Sequence, residues 1–263
     1  MVVEESAQHR KAVGPPDRFD LIAGLQFSLL FALGLRDRHR LLDIGCGSLR
    51  GGRLFIPYLA AGNYYGIEPD ESLVDAGIRY EVGHDACEMK SPHFLYDGEF
   101  AFGKFETQFD FLMAQSILSH THSDLMRPLL ANARSVIADD GIFAGTFFWS
   151  RPALGTHMHR IKGPGGAGWV GEGGVAYRWN ELSELFSEAD FAVKRLRFPH
   201  PVQTWFVAVR KSRADRLTGL ARRAQGWGPM ATELWRSEPL GARNRRVYVA
   251  RRRLEMLGNR LHR

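Results

Sequence analysis

The segment Leu41-Leu42-Asp43-Ile44 is a short apolar run that passes directly into a glycine-rich turn, Gly45 to Gly52, and then into helical sequence from Arg53 to Leu59. Glycine lets a backbone turn sharply and lets a ligand approach with no Cβ in the way. A second apolar run, Tyr64-Tyr65-Gly66-Ile67, ends in Glu68, 23 residues after Gly45. Strand, glycine turn, helix and strand in that order form a βαβ unit, and this commits the chain to a parallel sheet flanked by helices.

The rest of the chain continues the alternation. Ile22, Leu25, Leu29 and Leu33 recur at spacings of three and four, so a helix is expected from Arg18 to Leu33, ended by Gly34. Helical sequence through Leu73 to Ile78 follows the second strand, and Phe94-Leu95-Tyr96 reads as a third strand. Phe109 to Ala114 is a fourth, Ser123 to Ile137 a helix and Gly141 to Phe148 a fifth strand. Helix Asn180 to Ala189 and strands Phe191 to Leu196 and Thr204 to Val209 complete the pattern. The expected fold is α/β and Rossmann-like: a seven-stranded, mostly parallel sheet with an antiparallel last strand and helices on both faces. Three regions are expected. Residues 1–34 form a flexible leader and a helix positioned as a lid, 35–211 the core, and 212–263 a basic extension. A glycine-rich stretch at 157–175 reads as a mobile loop over a site.

Bulk properties narrow the functional classes. No apolar run approaches the roughly 20 residues of a membrane-spanning helix, and the acidic start does not resemble a secretory signal, so a cytoplasmic protein is expected. Two cysteines, Cys46 and Cys87, exclude a disulfide framework and an all-cysteine metal site. Five histidines, at 93, 120, 122, 157 and 159, lack an accompanying cluster of acids, so no metal ligands are assigned.

The glycine turn discriminates between nucleotide ligands. A dinucleotide fingerprint needs a third glycine where this chain has Arg50, and Asp43 would repel a pyrophosphate while attracting an ammonium. An acid at the end of the second strand, Glu68, is placed to accept both hydroxyl hydrogens of a ribose. The chemistry favours a cationic ligand that carries an amino acid and a ribose. Cys46 reads as a small buried residue beside that ligand and not as a nucleophile.

Leu41 to Gly47 resembles the first motif of the class I S-adenosylmethionine-dependent methyltransferases, and Ile67-Glu68-Pro69 resembles their second. The resemblance implies S-adenosyl-L-methionine as cofactor, with Asp43, Gly45, Cys46 and Gly47 around its methionine part and Glu68 and Pro69 at its ribose. Phe109 to Gln115 is similar to the family's fourth-strand motif, which implies that Gln115 lines both cofactor and acceptor. An acid near the adenine is implied after the third strand. Asp97 is the first choice, and Asp85 in Gly83-His84-Asp85-Ala86 is the rival.

For the methyl acceptor, His120 is the candidate general base, because imidazole is poised near neutral pH and follows the fourth strand. His122, Tyr177 and Arg178 are the candidate acceptor-binding residues. The Asn/Asp-Pro-Pro-aromatic motif of nitrogen methylation is replaced by Ala114-Gln115-Ser116-Ile117, so oxygen on a small polar metabolite, sugar or lipid-linked glycan is the leading reading. Residues 211–263 carry 14 basic and 4 acidic side chains, of 35 and 29 in the whole chain. That tail supports a rival reading, RNA or DNA methylation through a nucleic-acid-binding extension, alongside a solvated or homo-oligomerising tail or one that touches an anionic membrane or glycolipid surface. A third reading is a scaffold that binds the cofactor without turnover.

Overall fold

The computed structural model describes residues 8–150 and 174–237. Its elements run α1 (Phe19–Leu33), β1 (Leu41–Ile44), α2 (Gly52–Tyr58), β2 (Tyr64–Ile67), α3 (Glu71–Gly77), α4 (His84–Lys90) and β3 (His93–Leu95). There follow β4 (Phe109–Ala114), α5 (Ser123–Val136), β5 (Ile137–Trp149), β6 (Ala176–Tyr177), α6 (Trp179–Glu188), β7 (Phe191–Arg195), β8 (Thr204–Arg210) and α7 (Arg216–Ser237). The sheet order is β3-β2-β1-β4-β5-β8-β7, with β6 paired to the end of β5. Strands β1 to β5 are parallel, and β8 is antiparallel to both β5 and β7. The expected fold is therefore the observed one, with the two-residue β6 added.

The central strands are apolar on both faces because helices cover both. Leu41, Phe111, Met113 and Ile142 point to one side, packing with Leu25, Leu29, Phe55 and Leu220. Leu42, Leu112, Ala114 and Phe143 point to the other, packing with Leu129, Leu130, Leu182 and Phe186. Successive strand residues alternate faces, so Leu41 and Leu42 each bury fully in a different layer.

Gly34 ends α1 with φ of 115°, its N–H donating to the carbonyls of Leu30 and Phe31. Against this helix lies α7, through Leu217, Leu220 and Ala224, all buried. The first part of the basic extension is thus a packed element of the core. The amphipathic helix expected around Leu254 to Leu261 and most of the glycine-rich loop lie outside the described residues. Among the described residues no helix is long and apolar enough to cross a membrane.

The strand order reverses between β1 and β4: β2 lies on one side of β1 and β4 on the other. A crevice opens beyond their carboxyl ends, the place where open α/β sheets bind ligands.

Candidate functional site

Two acids stand at that crevice, each at the end of its strand for a different reason. Asp43 is buried on β1 and accepts a hydrogen bond from the Tyr64 hydroxyl at 2.9 Å. Burial pushes its pKa up to about 6, although Tyr64 and the nearby Arg50 oppose the rise. Glu68 follows β2 and reaches back to the glycine turn: Gly47 N–H donates to Oε2 at 3.0 Å and Asp70 N–H to Oε1 at 3.2 Å. Burial raises the Glu68 pKa as well. A carboxylate offers about four lone-pair positions, so one direction on each oxygen of Glu68 remains for a ligand. Beside it a recess of about 570 Å³ is lined by Pro69, Asp70, Glu71, Ser72 and Asp75. Cys46 is buried, and burial together with Asp43 and Glu68 holds its thiol well above the ordinary range, so it is no nucleophile.

The leader was expected to be flexible; its described part, residues 8–14, instead packs against the turn. Residues 8–12 are helical. His9 is buried, stacks on Tyr80 with centroids 5.3 Å apart, and meets Glu81 Oε1 at 2.8 Å. Arg10 adds two hydrogen bonds to the same carboxylate, at 2.6 and 3.0 Å. The Ser48 hydroxyl donates to the His9 carbonyl at 2.9 Å. A Cβ on Gly47 would stand 2.6 Å from Val13 Cγ1, so only glycine permits this close approach. The polar leader carried no periodicity that foretold these contacts.

A second polar group crosses the crevice. Gln115, just beyond β4, is buried, and its Oε1 accepts from Gln26 Nε2 of α1 at 3.1 Å and from Arg50 Nη2. Arg50 also donates to the Val13 carbonyl at 2.6 Å. Gln115 Nε2 faces His200 Nε2 at 3.4 Å, in the loop joining β7 to β8. Sequence reasoning singled out Gln115 but missed Gln26 and His200, and treated Arg50 only as a missing glycine. Nearby, Ser116 adopts φ of 67°, and its N–H donates to Thr146 Oγ1 at 2.8 Å. Gln203 Nε2 donates to the hydroxyls of Ser116 and Ser119 at 2.6 and 3.1 Å.

The other sequence candidates lie further out. Asp97 accepts from Glu99 N–H, Ala101 N–H and Lys104 Nζ at 2.7, 3.1 and 2.8 Å, which organises the loop after β3. These bonds outweigh the effect of burial and lower its pKa. Asp85 is exposed in the first turn of α4, before β3 and not after it. His120 and His122 lie in the connection from β4 to α5, His120 N–H closing a turn on the Ile117 carbonyl at 2.9 Å. The Tyr177 hydroxyl donates to the Thr121 carbonyl at 2.6 Å, and Arg178 N–H donates to Glu181 Oε2 at 3.1 Å at the start of α6. These bonds tie Tyr177 and Arg178 into the framework on the β5 side of the crevice.

No known family profile matches the chain, and no curated protein sequence matches it. Solved structures do. A S-adenosylmethionine-dependent methyltransferase from Clostridium acetobutylicum superposes with TM-score 0.53 at 8% identity, covering 73% of this chain and 92% of that one. DhpI in complex with SAH gives TM-score 0.56 at 13% identity, covering 80% and 94%. The glycopeptide N-methyltransferase MtfA, complexed with (S)-adenosyl-L-methionine, gives 0.53 at 14% identity, covering 71% and 94%. The chain shares the fold of these methyltransferases.

Proposed function

We propose that this chain is a S-adenosylmethionine-dependent methyltransferase that methylates an oxygen of a small polar metabolite, sugar or lipid-linked glycan. The observation that carries the reading is Glu68. Its carboxylate ends β2, is held by the backbone N–H groups of Gly47 and Asp70, and keeps acceptor capacity facing the crevice. That geometry suits the two hydroxyls of a ribose, with Pro69 beside the nucleoside. Asp43 suits a cationic ligand for an electrostatic reason. Its ionised form is penalised by burial, and an ammonium or sulfonium nearby relieves the penalty. At Gly45, half-buried with φ of 69°, the turn backbone has room for the amino-acid end of such a ligand, while Gly47 is covered by Val13.

Bound S-adenosylmethionine supplies an electrophilic methyl group on a sulfonium. The residues of this chain would bind it, exclude water and align the acceptor. The leader, docked on Glu81 and seated on Gly47, excludes solvent from the glycine turn. Gln115 stands between the glycine turn and the loop that carries His200. His120 is assigned the role of accepting a proton when the acceptor is a hydroxyl, with His122, Tyr177 and Arg178 framing that side. Asp97 is assigned an indirect role, shaping the loop after β3 near the adenine end of the crevice.

The test is to incubate the protein with methyl-labelled S-adenosylmethionine and fractionated cell extract. Label is expected in a small-molecule or lipid fraction. Label in nucleic acid overturns the acceptor class, and measured donor binding without transfer to any fraction favours the scaffold reading.

A further inference from the structure

The group formed by Arg50, Gln115 and His200 contains more hydrogen-bond donors than acceptors. Arginine only donates, so Arg50 Nη2 fixes the oxygen of Gln115 on its own side and turns Gln115 Nε2 toward His200. The backbone N–H groups of Val202 and Gln203 donate to His200 Nδ1 at 3.2 and 2.8 Å. Nδ1 must therefore be the bare nitrogen, and the ring proton sits on Nε2. Burial, aided by Arg50 and Arg18, pushes the His200 pKa down to about 3, so the ring is neutral and that single proton stays in place. Among the described residues, two donors then face one another at 3.4 Å with no acceptor between them. Arg50 Nε is a third, buried and without a partner among those residues; Gln26 Oε1, in the same network, is a buried acceptor likewise unpartnered, so donors remain in excess.

Buried donors without acceptors are costly, and convergent ones beside a guanidinium mark the place of an anionic oxygen. Trp205, whose Nε1 donates to the Pro199 carbonyl at 2.9 Å, packs its ring edge-on to His200 with centroids 5.5 Å apart and holds the loop in position. The cluster draws on the glycine turn, the end of β4 and the β7–β8 loop, so it lies across the crevice and not on one surface.

We infer that Arg50, Gln115 and His200 hold a carboxylate of the methyl acceptor, an assignment that rests on the methyltransferase reading above. Gln115 at the end of β4 and His200 in the β7–β8 loop stand across the crevice from the strand ends that carry the donor's acids. A carboxylate oxygen bonds to the methyl carbon as the carbon–sulfur bond breaks. The sulfonium becomes a neutral thioether, a methyl ester forms, and no proton has to be removed. Opposite charges cancel in that step, which a buried site favours.

The test uses His200→Asn, whose side-chain oxygen still accepts from Val202 and Gln203 while the Nε2 donor is lost, together with Arg50→Lys. Unliganded melting temperatures establish that the variants are folded. Calorimetry compares S-adenosylhomocysteine with S-adenosyl-3-thiopropylamine, which lacks only the carboxylate. Acetate, with acetamide as its neutral counterpart, is titrated into the protein saturated with S-adenosylhomocysteine. The expected result is that both variants retain the preference for the carboxylated nucleoside, wild type binds acetate over acetamide, and the variants lose this binding. A loss of the nucleoside preference by about 10- to 100-fold in both variants shows that the carboxylate held here is the donor's and overturns the assignment. Both ratios unchanged within about twofold overturn it as well. Failure of wild type to bind either nucleoside refutes the donor reading instead, and acetate titrated into the unliganded protein then decides the subsite alone.

Discussion

Replacing Asp43 by asparagine should stabilise the protein at neutral pH while damaging its site. The folded chain holds the Asp43 proton up to about pH 6, against an ordinary value of 3.8. Between those values the folded state binds more protons than the unfolded one, so stability falls as pH rises through the window. The stability associated with the protonated acid is fully present below pH 3.8 and is lost above pH 6. At ~1.4 kcal/mol per pKa unit, the deficit at pH 7.5 is on the order of 3 kcal/mol. Asparagine keeps an oxygen for the Tyr64 hydroxyl and carries no charge. Asp43→Asn should therefore gain on the order of 3 kcal/mol at pH 7.5, about 5 °C in melting temperature for a chain of this length, and much less at pH 4. Urea unfolding at the two pH values measures this directly. Equal effects at both pH values, or a loss at pH 7.5, would refute the electrostatic account of Asp43. The same variant should bind S-adenosylhomocysteine at least ~10-fold more weakly, a trade of function for stability that active sites commonly show.

Glu68→Gln should weaken S-adenosylhomocysteine binding by about 10- to 100-fold with little change in melting temperature, measured by calorimetry; unchanged affinity would remove Glu68 from the site. Glu81 also accepts from Arg53 Nη1 of α2 at 3.3 Å; Glu81→Gln replaces the charge-assisted bonds to Arg10 by neutral ones, a loss of about 1–2 kcal/mol in leader docking. Tryptic cleavage after Arg10 or Lys11 should then accelerate roughly 10-fold, and an unchanged rate would show that Glu81 does not hold the leader. Leu220→Ala should cost about 2–5 kcal/mol in urea unfolding, because the α7 side chain is only 2% exposed against α1. A cost under about 0.5 kcal/mol would mean that the extension is not packed there.

The sheet was legible because its signals are local. Strands such as Leu41–Ile44 and Phe109–Ala114 are apolar on both faces, and each is punctuated by a turn or a helix. The glycine turn and Glu68 were legible because their spacing is imposed by one βαβ unit. The leader was not, since the partners of His9 and Arg10 lie about 70 residues away at Glu81. Helix α7 carried a readable signal in Leu217, Leu220 and Ala224, which arginine-rich composition masked. His200 and Arg50 were polar loop residues in the sequence; the pairing of β1 with β4 brings Arg50 to Gln115, and the closing of β8 between β5 and β7 brings His200 there.

The packing of α1 against α7 has a consequence for how this chain is made. Helix α1 emerges from the ribosome early, yet the residues that cover one side of it, Leu217, Leu220 and Ala224, are made about 180 residues later. At 5–20 residues per second, that face waits roughly 10–40 s for its cover. Phe31, whose ring meets Trp227 of α7 with centroids 5.5 Å apart, is a side chain that a nascent-chain chaperone would meet during that delay, and slow translation upstream of α7 would lengthen its exposure.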